Sequence, residues 1–264
     1  MTVAPAAFLA HGSPLSALGG DAHAAALRGF GEAHRAVEAI LVISAHWHKP
    51  LPLAVTSWET APLLHDFSGF PEELYRIEYP AHGDAALAAR IDLHLHAAGI
   101  PSALDPGRGL DHGAWVPLRL AWPDAKLPVI QLSLATTRPK ELFAIGQALR
   151  PLRREGVLIA ASGGIVHNLR RLDIRQKEAA PEPWAVTFDD WVARRVEARK
   201  FEELFEYRTK APQAALAVPT SEHFDPLFLA LGAAFPDDTF ETIYSGFHYS
   251  TISMRSFSFG VTPK

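Results

Sequence analysis

Short apolar runs recur along this chain at intervals that leave room for a helix between them. The second and fourth runs are rich in Val, Ile and Leu, as is typical of strands buried on both faces of a sheet. Strands that alternate with helices predict an α/β fold: a single domain with a central, mostly parallel or mixed sheet flanked by helices. The runs are residues 6–10, 39–45, 128–134 and 157–161, and the helical patterns are residues 21–37, 83–98 and 139–154.

The last third of the chain also contains helical and strand patterns. Residues 184–207 have a helical pattern, and residues 240–260 alternate small polar and apolar side chains, which predicts late strands. The 21 prolines are scattered through loops, and no stretch is long enough to be a flexible interdomain linker. We therefore expect residues 1–264 to form one domain.

The composition argues against several classes of function. A net charge of -4 over 264 residues provides no extended basic surface for a phosphate backbone, so we expect no nucleic-acid partner. The longest apolar runs fall far short of the roughly 20 residues that a bilayer crossing needs, so we expect no membrane segment. The apolar residues 3–10 follow no basic residue, which predicts no signal peptide and a cytoplasmic location.

The absence of cysteine restricts the metal chemistry that is open to the chain. Disulfides, iron-sulfur clusters, thiolate zinc sites and cysteine nucleophiles are all excluded, so any metal must be held by nitrogen and oxygen ligands. Thirteen histidines beside only 25 lysines and arginines is a high count, and several of these histidines stand in short motifs. This imbalance is the first indication of a metal centre.

Histidines follow three of the predicted strands. His11 and His46 come directly after the first two runs, and His167 follows the fourth run after a glycine pair that allows a tight turn. Carboxyl ends of parallel strands border one crevice, so we expect these imidazoles to converge there with His223, which opens a predicted helix. A lone histidine at a strand end is usually a hydrogen-bonded loop residue. Recurrence at equivalent ends favours metal ligation instead, and neutral imidazole suits Fe(II) and Zn(II).

Two further motifs place histidines in loops that are rich in glycine and aromatic residues. His65 and Trp115 belong to these motifs, and we predict that they form part of a wall around a flat substrate. The alternative, an ordinary turn with a capping aspartate, is equally open for His65. His48 is interpreted as a loop neighbour of His46, because Lys49-Pro50 indicates that the chain has already turned. Histidines within helical patterns are interpreted as solvent-facing: His23, His34, His94 and His96.

Six motifs in this order span nearly the whole chain: His11-Gly12-Ser13-Pro14, Ser44-Ala45-His46-Trp47, His65-Asp66-Phe67 with Gly69-Phe70-Pro71, Asp111-His112-Gly113, Val166-His167-Asn168 and Glu222-His223-Phe224. Together they resemble the class III extradiol ring-cleaving dioxygenases, of the DOPA-4,5-dioxygenase type. The resemblance implies one catalytic domain over residues 1–264 that uses non-haem Fe(II) and O₂ to open a small aromatic diol of the catechol type. Bacterial members of this type can also hold Zn(II).

The resemblance also implies roles for particular histidines. His11, His46 and His223 correspond to metal ligands, His167 to a further ligand or the acid/base, and His112 to a substrate-side histidine. Independently of the resemblance, proton transfer from a diol needs a group that titrates near neutral pH, and we assign this catalytic role to His112 and His167. The third ligand by motif is a histidine, whereas many Fe(II) oxygenases use a carboxylate there, so iron and zinc both stay open.

Two other functions fit parts of the pattern. A three-histidine site could hold Zn(II) and lower the pKa of a bound water to about 7, which would make the protein a zinc-dependent hydrolase. Relatives with this type of fold also serve as interaction proteins that keep part of the site, but every expected histidine is present here, so this alternative ranks third. The sequence carries no pattern that predicts an oligomeric state.

Overall fold

A mixed eight-stranded sheet runs through residues 3–260, the part of the chain that a computed structural model describes. The strands follow the spatial order β4-β3-β5-β2-β6-β1-β10-β7, and a separate hairpin pairs β8 with β9. Their bounds are β1 Ala6–Ala10, β2 Ala39–His48, β3 Leu53–Thr56, β4 Ser102–Asp105, β5 Val129–Leu134, β6 Val157–Gly163, β7 Thr239–Tyr244, β8 Phe247–His248, β9 Ile252–Ser253 and β10 Ser256–Gly260.

Helices cover both faces of this sheet. Their bounds are α1 Ala22–Ala33, α2 Glu72–Tyr75, α3 Ala85–Ala97, α4 His112–Ala121, α5 Pro139–Leu149, α6 Pro183–Glu197, α7 Phe201–Phe205, α8 Tyr207–Lys210, α9 Ala214–Ala217 and α10 Asp225–Ala233. Across residues 3–260, no helix has both the length and the apolar character that a membrane crossing requires.

Alternate residues of the central strands belong to two separate apolar cores. Phe8 and Ile43 pack with α3, α5, α6 and α10 on one face, whereas Leu9 and Val42 pack with α1 and α4 on the other. This follows from the two-residue period of a strand, which sends successive side chains to opposite faces. Because both faces are covered, these strands are apolar at nearly every position, as the sequence indicated.

The four central strands are mutually parallel, and this positions the site. β2 pairs in parallel with β5 and β6, and β6 pairs in parallel with β1, so all four carboxyl ends lie at one edge. β10 and β7 add antiparallel strands beyond β1, while β3 is antiparallel to β5. The predicted α/β fold with a mostly parallel or mixed sheet is therefore confirmed.

Several local predictions need correction. His48 is the last residue of β2 and not a loop residue, because Lys49 still donates a backbone hydrogen bond to Leu134 and extends the ladder by one step. His23 is fully buried and not solvent-facing, because the ring of Tyr244 in β7 lies 5.3 Å from its ring, centroid to centroid. The helical pattern over 184–207 is interrupted: α6 ends at Glu197, and short helices follow.

At the amino ends of the central strands, opposite the carboxyl ends described above, a buried guanidinium connects four parts of the chain. Arg153 is fully buried, and its five N–H groups donate to the carbonyls of Ala4, Ala233 and Phe259 and to both carboxylate oxygens of Asp238. The bidentate pair with Asp238 has N–O distances of 2.6 and 3.0 Å. Such a pair is costly to break from one side, because the remaining charge stays buried without compensation.

We expect Arg153→Met to lower the free energy of unfolding by about 3–5 kcal/mol, since Asp238 would keep a buried charge. Guanidinium chloride unfolding measures this change directly. Arg154→Met is the matched control, because Arg154 is exposed and its guanidinium lies over the ring of Phe235, a contact that contributes about 0.5–1 kcal/mol. Equal losses in the two variants would contradict the proposed contribution of the buried pair.

Candidate metal centre

His11 leaves the carboxyl end of β1 with its ring buried and its tautomer determined by its neighbours. Its Nδ1 lies 2.9 Å from the hydroxyl oxygen of Ser162 at the end of β6. The hydroxyl hydrogen of Ser162 is donated to the carbonyl of Gly113. A hydroxyl has a single hydrogen, so Ser162 must accept from His11, and the proton of His11 therefore resides on Nδ1. The lone pair of His11 is on Nε2.

His46 stands near the end of β2, and its Nε2 lies 3.2 Å from Nε2 of His11. Its other nitrogen, Nδ1, lies 3.7 Å from a carboxylate oxygen of Asp66; this is longer than a hydrogen bond, but the nearby negative charge favours a proton on Nδ1. Two lone pairs that face each other at 3.2 Å repel unless a cation lies between them. Two nitrogens that bind one ion at 2.0–2.1 Å are about 3.0–3.4 Å apart, so this separation fits a shared metal ion.

His223 completes a set of three imidazoles just before α10. One ring nitrogen from each of His11, His46 and His223 lies within 4.8 Å of the other two. Nδ1 of His223 is buried without a hydrogen-bond partner, and the nearest carboxylate oxygen, on Glu222, is 3.6 Å away. Three ring nitrogens this close together, one from each histidine, can reach a common ion. The donor set therefore fits one divalent metal ion.

Close backbone packing holds His223 in place. The backbone N–H of Gly164 donates to the carbonyl of His223 at 2.8 Å. A Cβ atom on Gly163 would lie 2.2 Å from that same carbonyl oxygen, so only glycine allows β6 to approach this closely. The glycine pair that the sequence marked as a tight turn therefore also serves the His223 segment.

His167 contacts the cluster by stacking on His223, and it is not one of the three histidines whose nitrogens lie within 4.8 Å of one another. Its ring lies parallel to the ring of His223, with centroids 3.6 Å apart and an interplanar angle of 6°. Its backbone N–H donates to Ala217. The structure thus brings His167 against a candidate ligand, whereas the set of donor atoms within 4.8 Å comprises His11, His46 and His223.

His112 opens α4 and lies beside His46, with ring centroids 4.0 Å apart. Both Nδ1 and the backbone N–H of His112 lie 2.9 Å from the same oxygen of Asp66. Because an ionised carboxylate only accepts, the ring proton of His112 is on Nδ1, and Nε2 carries a lone pair. Asp66 is the functional residue that the sequence interpretation missed, although it stands next to His65 in a motif that the interpretation singled out.

A buried aspartate sets the position of α4. Asp111 caps the helix by accepting from the backbone N–H of Ala114, and it also accepts from Ser44 of β2 and Gln131 of β5. These bonds hold the helix start against two central strands. At Gly113 a Cβ atom would lie 2.7 Å from a ring carbon of His46, so glycine permits this approach.

The two residues predicted to form a substrate wall occupy different places. Trp115 is fully buried, and its indole N–H donates to the carbonyl of Leu64. His65 packs 5.7 Å from the ring of Trp115 and 5.8 Å from that of Phe67, by centroids. Phe67 is only partly buried, and its ring lies 5.7 Å from the ring of His112. Phe67 is therefore the aromatic surface next to the histidines, and Trp115 supports it from the core.

Burial favours the neutral form of three of these histidines, namely His11, His46 and His167. Burial, followed by the charges of neighbouring histidines, lowers the pKa of His11 and of His46 well below the usual value. Burial, followed by the neighbouring His223, lowers the pKa of His167 to about 3. Neutral imidazole is the form that binds metal ions, so His11 and His46 are in the ligating form at neutral pH.

We expect Ser162→Ala to weaken metal binding by about 10–100-fold, because the variant loses the acceptor that keeps the proton of His11 on Nδ1. Competition between the protein and a chelator for Zn²⁺ measures the change. Ser258→Ala removes another buried serine, on β10 and outside the histidine cluster, and serves as the control. Unchanged Zn²⁺ affinity in Ser162→Ala would remove Ser162 from the description of the site.

A histidine-based metal centre beyond the carboxyl ends of parallel strands defines an α/β metalloenzyme as the class of protein. Residues 5–260 match the family described as the catalytic LigB subunit of aromatic ring-opening dioxygenase. The chain belongs to this family, and it is a metal-dependent enzyme that opens aromatic rings with O₂. The predicted class of enzyme is confirmed, and the zinc hydrolase alternative is not favoured.

Named relatives and a solved structure agree with this assignment. The chain is 39% identical over 263 residues to a protein of Beta vulgaris named 4,5-DOPA dioxygenase extradiol, a match that covers 97% of this chain and 96% of that one. A protein of the same name from Escherichia coli (strain K12) is 36% identical over 264 residues, covering 97% and 94%. The crystal structure of an uncharacterized protein from Escherichia coli K12 has a TM-score of 0.82 at 32% identity, covering 97% of this chain and all of that chain.

Proposed function

We propose that this protein is an Fe(II)-dependent extradiol dioxygenase that cleaves the ring of a small, DOPA-like catechol and inserts both atoms of O₂. One observation carries the proposal: the Nε2 atoms of His11 and His46 face each other at 3.2 Å, and His223 completes the set. Relatives named for extradiol cleavage of DOPA support the substrate class. Fe(II) is proposed as the ion of the active enzyme, and Zn(II) can bind the same nitrogens.

His11, His46 and His223 are the proposed metal ligands. A divalent ion bound there would supply Lewis acidity, which favours ionised catechol oxygens. Burial excludes water from most of this donor set, because His11 and His223 are almost fully buried and only His46 is partly exposed. The ring of His167, stacked on His223, is proposed to act as an acid/base or to join as a further ligand.

His112 is the proposed proton-transfer residue. Its Nδ1–H donates a hydrogen bond to Asp66, so Nε2 is the atom that carries a lone pair. Nε2 can therefore accept a proton from a catechol hydroxyl and return it later. Phe67 offers a partly exposed ring beside His112, on which a planar substrate can stack. His65 and Trp115 are proposed to act on the substrate by holding Phe67 in position.

The cellular setting is proposed on separate grounds. We place the protein in the cytoplasm, supported by a sequence without cysteine that needs no oxidising compartment. Residues 1–264 are proposed to form one catalytic domain, supported by a family match that extends over residues 5–260.

Metal analysis of freshly purified protein, paired with oxygen uptake over a panel of catechols, tests the proposal. We expect about one ion per chain and one O₂ consumed per catechol opened, with a coloured ring-opened product from DOPA. Activity should decline on storage in air and return with ferrous ion and a reductant. If the Fe(II)-loaded protein consumes no O₂ with any catechol, the proposed function is wrong.

A further inference from the structure

The carboxylate of Asp66 lies between two histidines that come from different elements, and each of its oxygens faces one of them. Oδ1 is 2.9 Å from Nδ1 of His112 and 2.9 Å from the backbone N–H of the same residue. Oδ2 is 3.7 Å from Nδ1 of His46 in β2. Asp66 itself belongs to the loop between β3 and α2, so three separate segments meet at one carboxyl group.

An ionised carboxylate can accept hydrogen bonds at both oxygens and can donate none. His112 must therefore turn its Nδ1–H toward Asp66, which leaves its Nε2 without a proton. The contact with His46, at 3.7 Å, is longer than a hydrogen bond, but the negative charge of Asp66 beside Nδ1 favours the same tautomer there, with Nε2 unprotonated. In His46 this is the nitrogen that faces Nε2 of His11 at 3.2 Å. In His112 it is the nitrogen left free for a substrate proton. One side chain thereby determines which nitrogen is available in His112 and favours the same choice in His46.

We propose that Asp66 is a positioning residue that fixes the Nδ1–H tautomer of His112 by hydrogen bonding and favours the same tautomer of His46 by its negative charge. The roles of His46 as a metal ligand and of His112 as the proton-transfer residue rest on the proposed function, but the assignment of their tautomers does not. Partners that orient a ligating histidine contribute about 10–100-fold to metal affinity. Asp66 thus couples the affinity for the ion to the protonation pattern of the neighbouring histidine.

The geometry requires a carboxylate and not an amide. Asparagine has one acceptor oxygen and one donor NH₂ group, so it can satisfy only one of the two histidines. In Asp66→Asn, the amide oxygen would keep accepting from His112, which offers two N–H donors at 2.9 Å. The NH₂ group would then face Nδ1 of His46. That contact favours a proton on Nε2 of His46, the nitrogen that metal binding requires to be free.

His46, Asp66 and His112 also form a set of donor atoms within 4.8 Å of one another, which raises the alternative of a second cation site. The two N–H groups that already occupy Oδ1 of Asp66 favour the hydrogen-bonded arrangement. The alternative is distinguishable, because a second site would bind a second equivalent of metal.

Two measurements on full-length protein test the proposal without substrate or O₂, so its failure is separate from failure of the dioxygenase assignment. The first is Zn²⁺ affinity by chelator competition for Asp66→Asn, Asp66→Ala and the control Asp124→Asn, which removes the same charge from an exposed turn. We expect a loss of about 10–100-fold in both Asp66 variants and no change in the control. Equal affinity in all three proteins, or a second bound Zn²⁺ in the unsubstituted protein, would overturn the proposal.

The second measurement is the tautomer of His112 in Zn²⁺-loaded, ¹⁵N-histidine-labelled protein, read from two-bond ¹H–¹⁵N correlations. We expect the Nδ1–H form in the unsubstituted protein and in Asp66→Asn, where the amide oxygen can still accept, and a mixture of tautomers in Asp66→Ala. A proton on Nε2 of His112 in the unsubstituted protein would refute the proposal without any variant. A purely structural role for Asp66 would leave the tautomer of Asp66→Ala unchanged.

Discussion

Alanine in place of His46 is expected to leave purified protein without its metal ion and without ring-opening activity. The variant loses one of three imidazoles and the nitrogen that faces His11 at 3.2 Å. The loss of metal affinity should exceed the about 10–100-fold that removal of an orienting partner such as Ser162 costs, because a ligand itself is gone. Metal analysis after purification, together with oxygen uptake with a catechol, measures both effects.

His11→Ala should behave in the same way, since His11 supplies the opposite nitrogen of the pair. His96→Ala is the matched control, because His96 lies on α3 with its side chain 52% exposed and belongs to no cluster of candidate ligands in residues 3–260. Full metal occupancy in either His11→Ala or His46→Ala would refute the assignment of that residue as a ligand.

The His112→Ala variant should separate proton transfer from metal binding. We expect metal content to match the unsubstituted protein, because His112 lies outside the set formed by His11, His46 and His223. Turnover should fall by about 10²–10⁴-fold, the range that a positioned acid/base contributes. The decrease should appear in kcat, measured by oxygen uptake at saturating catechol.

A loss of metal together with turnover would instead place His112 among the ligands, and metal analysis on the same sample distinguishes the two outcomes. The backbone N–H of residue 112 can still donate to Asp66 in the alanine variant, so the loop that carries Asp66 keeps one of its anchors. Unchanged turnover would remove His112 from the mechanism.

The predictable part of the site follows from strand geometry. His11 and His46 stand where two apolar runs end, and parallel strands bring such ends to one edge, so their convergence could be inferred from local sequence alone. The class of fold could be predicted for the same reason, because burial on both faces leaves a clear apolar pattern.

The rest depends on contacts between distant segments that local patterns do not record. Asp66 meets His112 across 46 residues, and nothing in a loop aspartate indicates which helix its oxygens will reach. His23 has the helical spacing of a surface residue, but β7 near the other end of the chain covers it. Trp115 stands beside His112 in sequence, yet the turn of α4 points its ring into the core.

The three imidazoles are far apart along the sequence, so binding of the ion also affects the equilibrium between folded and unfolded protein. His11 and His46 are 35 residues apart, and His223 lies in the last fifth of the chain, so an unfolded chain does not hold the three nitrogens together. An ion that binds only the native state shifts the unfolding equilibrium by about 2.7 kcal/mol when its free concentration is about 100 times Kd. Resistance to heat and to proteases should therefore increase with the concentration of free metal ion, and chains without the ion should be degraded before chains that hold it.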